Sequence, residues 1–345
     1  MNNFLLKFKR SAGKDKVTLG LDMGSQFVKV VKLKASKAGF QLEALALEDA
    51  LLDPLELLRK IRQNYGVDNV NISFSGSSTV LRYVNFLRMN TDELRQAMKF
   101  EAQKHIPFTL AEVNLDAAIL KDDLPDNKML VLLAAIKKDA VLQRIKSVEG
   151  AGLKVNLINI DSVALVNAFN FNYAKLEPQE PKAIGLLNIG SSLTNINIVD
   201  NHIPRLSRDI HIGGKHFTEK LMDIFSMDFK SAEALKINPA LDADKQNKIR
   251  ASVESVLGNL AAEIRTSFDY YESQNTSSVS RIYLSGGGAK FSGLKEMLGA
   301  LLGIEIEYWD PFKLIARPEK LEAKGVPAQS SEFSVAVGLA LHKDD

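Results

Sequence analysis

The chain has 345 residues, enough for about two domains of ordinary size. It is 46% hydrophobic and 25% charged with a net charge of +2, a globular composition with no overall pull toward nucleic acid or anionic lipid. It has no cysteine, which excludes disulfides and cysteine-ligated metal sites and fits a reducing compartment, and no apolar run approaches the roughly 18 residues of a membrane-spanning helix.

Residues 1–16 form a basic leader, with Lys7, Lys9, Arg10, Lys14 and Lys16 against a single acid, Asp15. Its apolar stretch, 4–6, is too short for the core of a signal peptide, so the expectation is a solvated arm. Near an anionic membrane each of its cations would add about 1 kcal/mol. A first lobe is expected over 17–181. It opens with a strand pair at 17–33, a third strand at 41–47, and a helix over 54–65 with Leu55, Leu58 and Ile61 on one face. A short strand, 70–75, ends in the turn Ser75-Gly-Ser-Ser.

The segment from about 80 to 156 reads as a compact α+β insert in that lobe. Thr91 caps a helix that carries Asp92 and Glu93 in its first turn and stops before Pro107. Strands at 115–121 and 129–136 flank a polar loop, 122–128, and a helix over 139–149 ends at Gly150 and Gly152. Then come a strand at 155–160, a helix over 163–169 capped by Asp161-Ser162, and a linker at 173–182 with Pro178 and Pro181. The second lobe, 182–331, is expected to hold strands at 183–199 and 205–212, helices over 215–225, 231–237 and 243–273, and a strand at 281–284. A final helix within 332–345 returns to the first lobe, with Ala336, Leu339 and Ala340 on its small apolar face.

One pattern occurs twice. VTLGLDMGSQFVKVVKL (17–33) and AIGLLNIGSSLTNINIV (183–199) align without a gap when Gly24 is set on Gly190. Two strand–turn–strand units of one design predict two similar lobes closing on one ligand. The turn at Asp22, Gly24, Ser25 and Gln26 offers backbone N–H groups to a phosphate. Asp22 suits such a site only with Mg²⁺ interposed, through water. Lys29, in register behind the turn, either reaches the phosphate or faces solvent. In the second copy Asn188, Gly190, Ser191, Ser192 and Thr194 stand in the matching places. Gly213-Gly214-Lys215 begins a helix whose N-terminus is ready for an anion. Glu233 and Lys236, three apart on one helix face, either share a ribose or form a surface ion pair. Gly286, Gly287 and Gly288 let a flat group approach the backbone, with Lys290 placed to lie over a base.

In this order the motifs resemble those of the actin-like ATPases: LDMGSQFVKVVKL their first phosphate loop, LNIGSSLTNINIV the second, YLSGGGAKFSGL the adenosine loop, and SAEALKI the ribose helix. Within that superfamily FEAQKHIPF (100–108), HIGGKHFTEKL (211–221) and EIRTSFDYYESQ (263–274) are similar to the PilM proteins of type IV pilus assembly. The resemblance covers nearly the whole chain. It implies an α/β actin-like fold, with two lobes on mixed sheets flanked by helices and a small subdomain inserted in the first. It also implies ATP and Mg²⁺ as ligands, and a cytoplasmic position at the inner membrane held through partners. Those partners would be the N-terminal tail of a PilN-like membrane protein, bound in a groove beside the inserted subdomain, and other inner-membrane ring proteins. Most hydrolytic members carry an aspartate where this chain has Asn188, so hydrolysis is expected to be slow or absent. Asp161 is a weak candidate for orienting water and otherwise a helix cap. The alternatives on the same fold are an FtsA-like division scaffold and a small-molecule kinase.

Overall fold

A computed structural model describes residues 16–173, 183–237, 243–318 and 330–342. The basic leader before Lys16, the linker from 174 to 182 and the last three residues lie outside the described residues. The chain divides into two compact units, one of residues 1–175 with 311–345 and one of 176–310.

Unit 1 begins with β1 (Lys16–Met23), β2 (Phe27–Ser36), β3 (Gly39–Asp49), α1 (Pro54–Tyr65) and β4 (Asn69–Phe74). The inserted subdomain follows with β5 (Thr79–Leu87), α2 (Thr91–Glu101), β6 (Val113–Leu124) and β7 (Lys128–Lys137). The unit continues through α3 (Lys138–Gly150), β8 (Lys154–Ile160) and α4 (Asp161–Tyr173). Unit 2 holds β9 (Ala183–Ile189), β10 (Thr194–Asp200), β11 (Ile203–Ile210), α5 (Gly214–Phe225), α6 (Phe229–Ile237), α7 (Ala243–Gln274), β12 (Val279–Ser285), α8 (Leu294–Leu302) and β13 (Glu305–Tyr308). The last helix, α9 (Ser334–Ala340), belongs to unit 1.

The two main sheets have one topology. Unit 1 orders its strands β3-β2-β1-β4-β8 and unit 2 orders them β11-β10-β9-β12-β13. The repeated hairpins also share a register: Asp22 faces Lys29 across β1 and β2, and Asn188 faces Asn195 across β9 and β10. These are the positions the gapless alignment pairs. The first central strand alternates as a two-faced strand must. Leu19 and Leu21 enter a core with Leu58 and Ile61 of α1. Gly20, on the opposite face, meets α9 so closely that a Cβ would stand 2.2 Å from the Ala336 carbonyl oxygen. Buried side chains bond the last carbonyls of α9: Asn71 donates to Leu339 O at 2.8 Å and Thr18 to Ala340 O at 2.5 Å.

Local chemistry explains where the helices start. Asp53 accepts from the N–H groups of Leu55 and Glu56, Pro54 opens α1, and Gly66 closes it in the left-handed region. On α2 the cap is Asn90, not Thr91. The Asn90 side chain accepts from Asp92 and Glu93 N–H, and the Glu93 carboxylate accepts from Asn90 N–H, a complete capping box. Asp161 is likewise the first residue of α4 and not a cap outside it, and that helix extends to Tyr173. The polar loop expected at 122–128 is mostly strand. Positive φ at Asp126 and Asn127 closes β6 to β7 in a tight turn. Strands β5 and β13 are additional to those expected from sequence. The β5-β7-β6 sheet packs Met129, Val131 and Leu133 on Leu94 and Met98 of α2. In unit 2 the long α7 lays Val253, Leu257, Leu260, Ile264 and Phe268 on the sheet, one per helical turn or less.

Candidate functional site

In unit 1 the Asp22 turn is built around an ion pair. Lys29 Nζ lies 2.9 Å from Asp22 Oδ2, with both side chains mostly buried. A Cβ at Gly24 would stand 2.9 Å from that ammonium, so glycine leaves room for the lysine to fold under the turn. Lys29 therefore neither faces solvent nor stands clear for a phosphate; it neutralises Asp22. Among the described residues no three His, Cys, Asp or Glu side chains converge as a metal cage. A single carboxylate suits only a hydrated Mg²⁺ carried by phosphates, and Asp22 fits that limited role.

Beside this turn lies a polar cavity of about 330 Å³, lined among others by Asp22, Ser73, Ser75, Gln143, Arg144, Ser147 and Asp161. Burial pulls the Arg144 guanidinium below its ordinary range, against the Asp161 and Asp22 carboxylates that favour its charge. Arg144 also lies over the Phe74 ring, 5.0 Å from its centroid.

In unit 2 three glycine-bearing turns meet. Gly214 N–H donates to Gly190 O at 2.8 Å and Lys215 N–H to Ser191 O at 2.9 Å. Gly213 N–H is bonded to His216 Nδ1, and His216 N–H returns to Gly213 O. The N-terminal donors of α5 are thus spent on the protein, which corrects the expectation of an anion-ready helix end. Their use has a consequence. In a trans peptide C=O and N–H point opposite ways, so with two carbonyls turned to α5, the N–H groups of Ser191 and Ser192 aim away from it. Thr194, fully buried, gives its hydroxyl to Ile212 O at 2.7 Å and so is not a phosphate donor. The third turn completes the cradle. Gly286 has φ +95°, and a Cβ there would stand 2.2 Å from Ile189 O. A Cβ at Gly214 would stand 2.9 Å from Gly288 Cα, whereas Gly287 has open space before it. Lys290 follows in the same short turn, partly exposed.

Asn188 is locked in a polar row that crosses four strands. It donates to Asn195 Oδ1 at 3.2 Å and accepts from Ser285 Oγ at 3.4 Å, while Asn195 donates to Asp209. Unit 2 thus carries an amide pair where unit 1 carries Asp22–Lys29, and its acid stands one strand further out. The Glu233–Lys236 pair is not a surface pair. Lys236 is 2% exposed and donates to Glu233, to Thr218 Oγ1 at 2.9 Å and to Gly214 O at 3.3 Å. This ties the predicted ribose helix to the start of α5.

A second cavity, about 1020 Å³ and mainly apolar, lies in unit 1 between the inserted subdomain and the main sheet. Its walls include Met98 of α2, Leu115 of β6, Val141 and Ile145 of α3, and Val155 and Leu157 of β8, with Arg95 and Lys99 at the rim. Among the described residues β6 and β8 each end their sheet, so each offers a strand edge beside it. The FEAQKHIPF motif shapes one end. Gln103 donates to Phe108 O and accepts from Leu110 N–H, which leads the chain into the Leu110 wall. Sequence reasoning missed the lining of this groove, and missed Arg144 and Ser73. Helix α3 serves both cavities: Ala140, Gln143, Arg144 and Ser147 line the polar one, Val141, Ile145 and Glu149 the apolar one. Among the described residues no helix is long and apolar enough to cross a membrane.

The fold is also that of known structures. A structure described as the PilM-PilN type IV pilus biogenesis complex is 26% identical, with TM-score 0.80, over 96% of this chain and 98% of that one. The ethanolamine utilization protein EutJ from Carboxydothermus hydrogenoformans, 15% identical with TM-score 0.54 over 98% and 94%, shares the fold. The architecture is the actin-like ATPase fold. The family model for type IV pilus assembly protein PilM matches residues 20–344, and the chain belongs to that family.

Proposed function

We propose that this protein is a nucleotide-binding scaffold of type IV pilus assembly that holds the N-terminal segment of a PilN-like membrane protein in the apolar groove of unit 1. The observation that carries this reading is the groove itself: apolar walls between two strand edges, with cations at the rim. An extended peptide meets both needs of such a surface, giving main-chain hydrogen bonds to an edge and alternate side chains to the walls. The similar PilM-PilN complex supports the choice of partner. Such binding would place the protein at the cytoplasmic face of the inner membrane through its partner, beside the other ring proteins.

For the nucleotide we assign unit 2's cradle to ATP: the Gly286–Gly288 turn against the base, Glu233 toward the ribose with Lys236 buried behind it as its counter-ion, and the Ser191 and Ser192 N–H groups toward phosphate. Asp22 is assigned a water-mediated contact to Mg²⁺. Bound Mg²⁺ would supply charge neutralisation for the phosphates. Hydrolysis is proposed to be slow or absent, because Asn188, an amide locked to Asn195 and Ser285, cannot act as a base. Turnover of about 1 s⁻¹ or more would overturn that part. The partner assignment is tested by copurification of a tagged PilN-type N-terminal peptide. Wild-type protein should retain it and Ile145→Glu should not; equal retention by both would overturn the groove assignment.

A further inference from the structure

The net charge of +2 conceals an uneven distribution. Cations of unit 1 collect at one end of its main sheet, the end away from the Asp22 turn. β1 enters the sheet there at Lys16, and the β1–β2 register sets Lys34 beside it, opposite Val17. The turn from β2 to β3 carries Lys37, and β8, parallel to β1 through β4, starts there with Lys154. Segment 313–317 closes the start of β3: Ala316 N–H donates to Phe40 O and Leu42 N–H to Ala316 O, both at 2.9 Å. That adds Arg317 and Lys313, whose ammonium lies over the Tyr173 ring. Lys37, Lys154, Lys313 and Arg317 are exposed. Two acids near them are committed to other cations, Asp68 to Arg62 at 3.2 Å and Glu43 to Lys32 at 3.4 Å. Apolar side chains stand among these charges: Leu314 is 53% exposed and Val17 40%. Ahead of Lys16 the sequence repeats the mixture, with Phe4, Leu5, Leu6 and Phe8 among Lys7, Lys9, Arg10 and Lys14.

We infer that this end of unit 1, together with the leader that runs into β1, docks directly on an anionic phospholipid bilayer. Two features together select the bilayer. Clustered lysine and arginine are drawn to a negative lipid surface within a Debye length. Exposed leucine and valine, with the leader's aromatic and aliphatic residues, gain by entering the boundary between headgroups and acyl chains, which a nucleic acid backbone does not offer. Binding by charge and shallow apolar contact is reversible and needs no spanning helix. The inference adds a lipid contact to the partner contact proposed above, and it rests on neither the groove nor the nucleotide reading.

The test is cosedimentation of the full-length protein, with no peptide or nucleotide added, with vesicles containing phosphatidylglycerol and with vesicles of phosphatidylcholine alone. Binding to the first and not the second is expected, with loss at high salt. Lys37→Glu combined with Lys313→Glu should weaken it about tenfold or more. Lys220→Glu combined with Lys230→Glu, at exposed positions of unit 2, changes the net charge equally and should leave binding within about twofold. Lys37→Glu alone, in an exposed turn, guards against a folding defect from the lost Tyr173 contact and should weaken binding several-fold. Leu314→Ser should weaken it several-fold at constant charge. Failure to bind the anionic vesicles, equal loss in the two double variants, or full binding by both the Lys37 and the Leu314 single variants overturns the proposal. So does binding to a single-stranded oligonucleotide without binding to vesicles, which would make the ligand a nucleic acid.

Discussion

Gly213→Ala should disable the unit 2 cradle without touching any ligand-facing side chain. Gly213 is extended, φ −149°, so alanine meets no conformational penalty there. The obstacle is steric. A Cβ would stand 2.6 Å from Ser191 O, 2.8 Å from Gly190 O and 2.8 Å from Leu193 N, all backbone atoms that no rotamer change can move aside. If the turn stays, overpacking costs about 1–3 kcal/mol. If it moves, the bonds from Gly214 to Gly190 and from Lys215 to Ser191 are lost, at about 1 kcal/mol each. Either route costs about 2 kcal/mol, and the second re-aims the Ser191 and Ser192 N–H groups. Chemical denaturation should show that loss, and calorimetric titration should show ATP affinity reduced about tenfold or more. Gly287→Val is the companion, because a Cβ at Gly287 meets nothing. It should leave stability within about 0.5 kcal/mol while weakening ATP, since its side chain would fill the face assigned to the base. Wild-type ATP affinity in both variants would refute the cradle.

Lys236→Met should destabilise the protein by about 2–4 kcal/mol in denaturant, because it leaves the Glu233 carboxylate and Thr218 without their buried cation; a change below about 0.5 kcal/mol would show the pair to be incidental. Burial raises the phenol pKa of Tyr271 and of Tyr308 above the ordinary 10.0. Their contribution to stability is therefore complete below pH 10.0 and lost as pH rises through the raised values, a loss that Tyr308→Phe should lessen in alkaline unfolding curves.

Much of the repeated turn was legible because it is local. The repeated hairpin follows from alternation around Gly24 and Gly190, and the shared register of Asp22–Lys29 and Asn188–Asn195 follows from the gapless alignment. What spacing cannot carry is burial. Glu233 and Lys236 three apart read equally as a surface pair or a ligand pair, and only the packing of α6 on α5 buries the lysine. The same limit hid Arg144, whose helical stripe of Ala140, Gln143 and Ser147 has the composition of a solvated face. The α2 cap was readable by a stricter rule: the capping-box spacing back from Glu93 reaches Asn90, and Thr91 is one residue too close. The residues lining the groove could not be read, because β6, α3 and β8 each bring only part of its wall.

The most direct test of the scaffold account is calorimetric titration of a PilN-type N-terminal peptide into the full-length protein, beside the Leu115→Glu variant. The account predicts saturable binding by the wild type and its loss in the variant, which sets a charge in the apolar wall while circular dichroism stays native. Failure of the wild type to bind the peptide, or equal affinity in the variant, would contradict it.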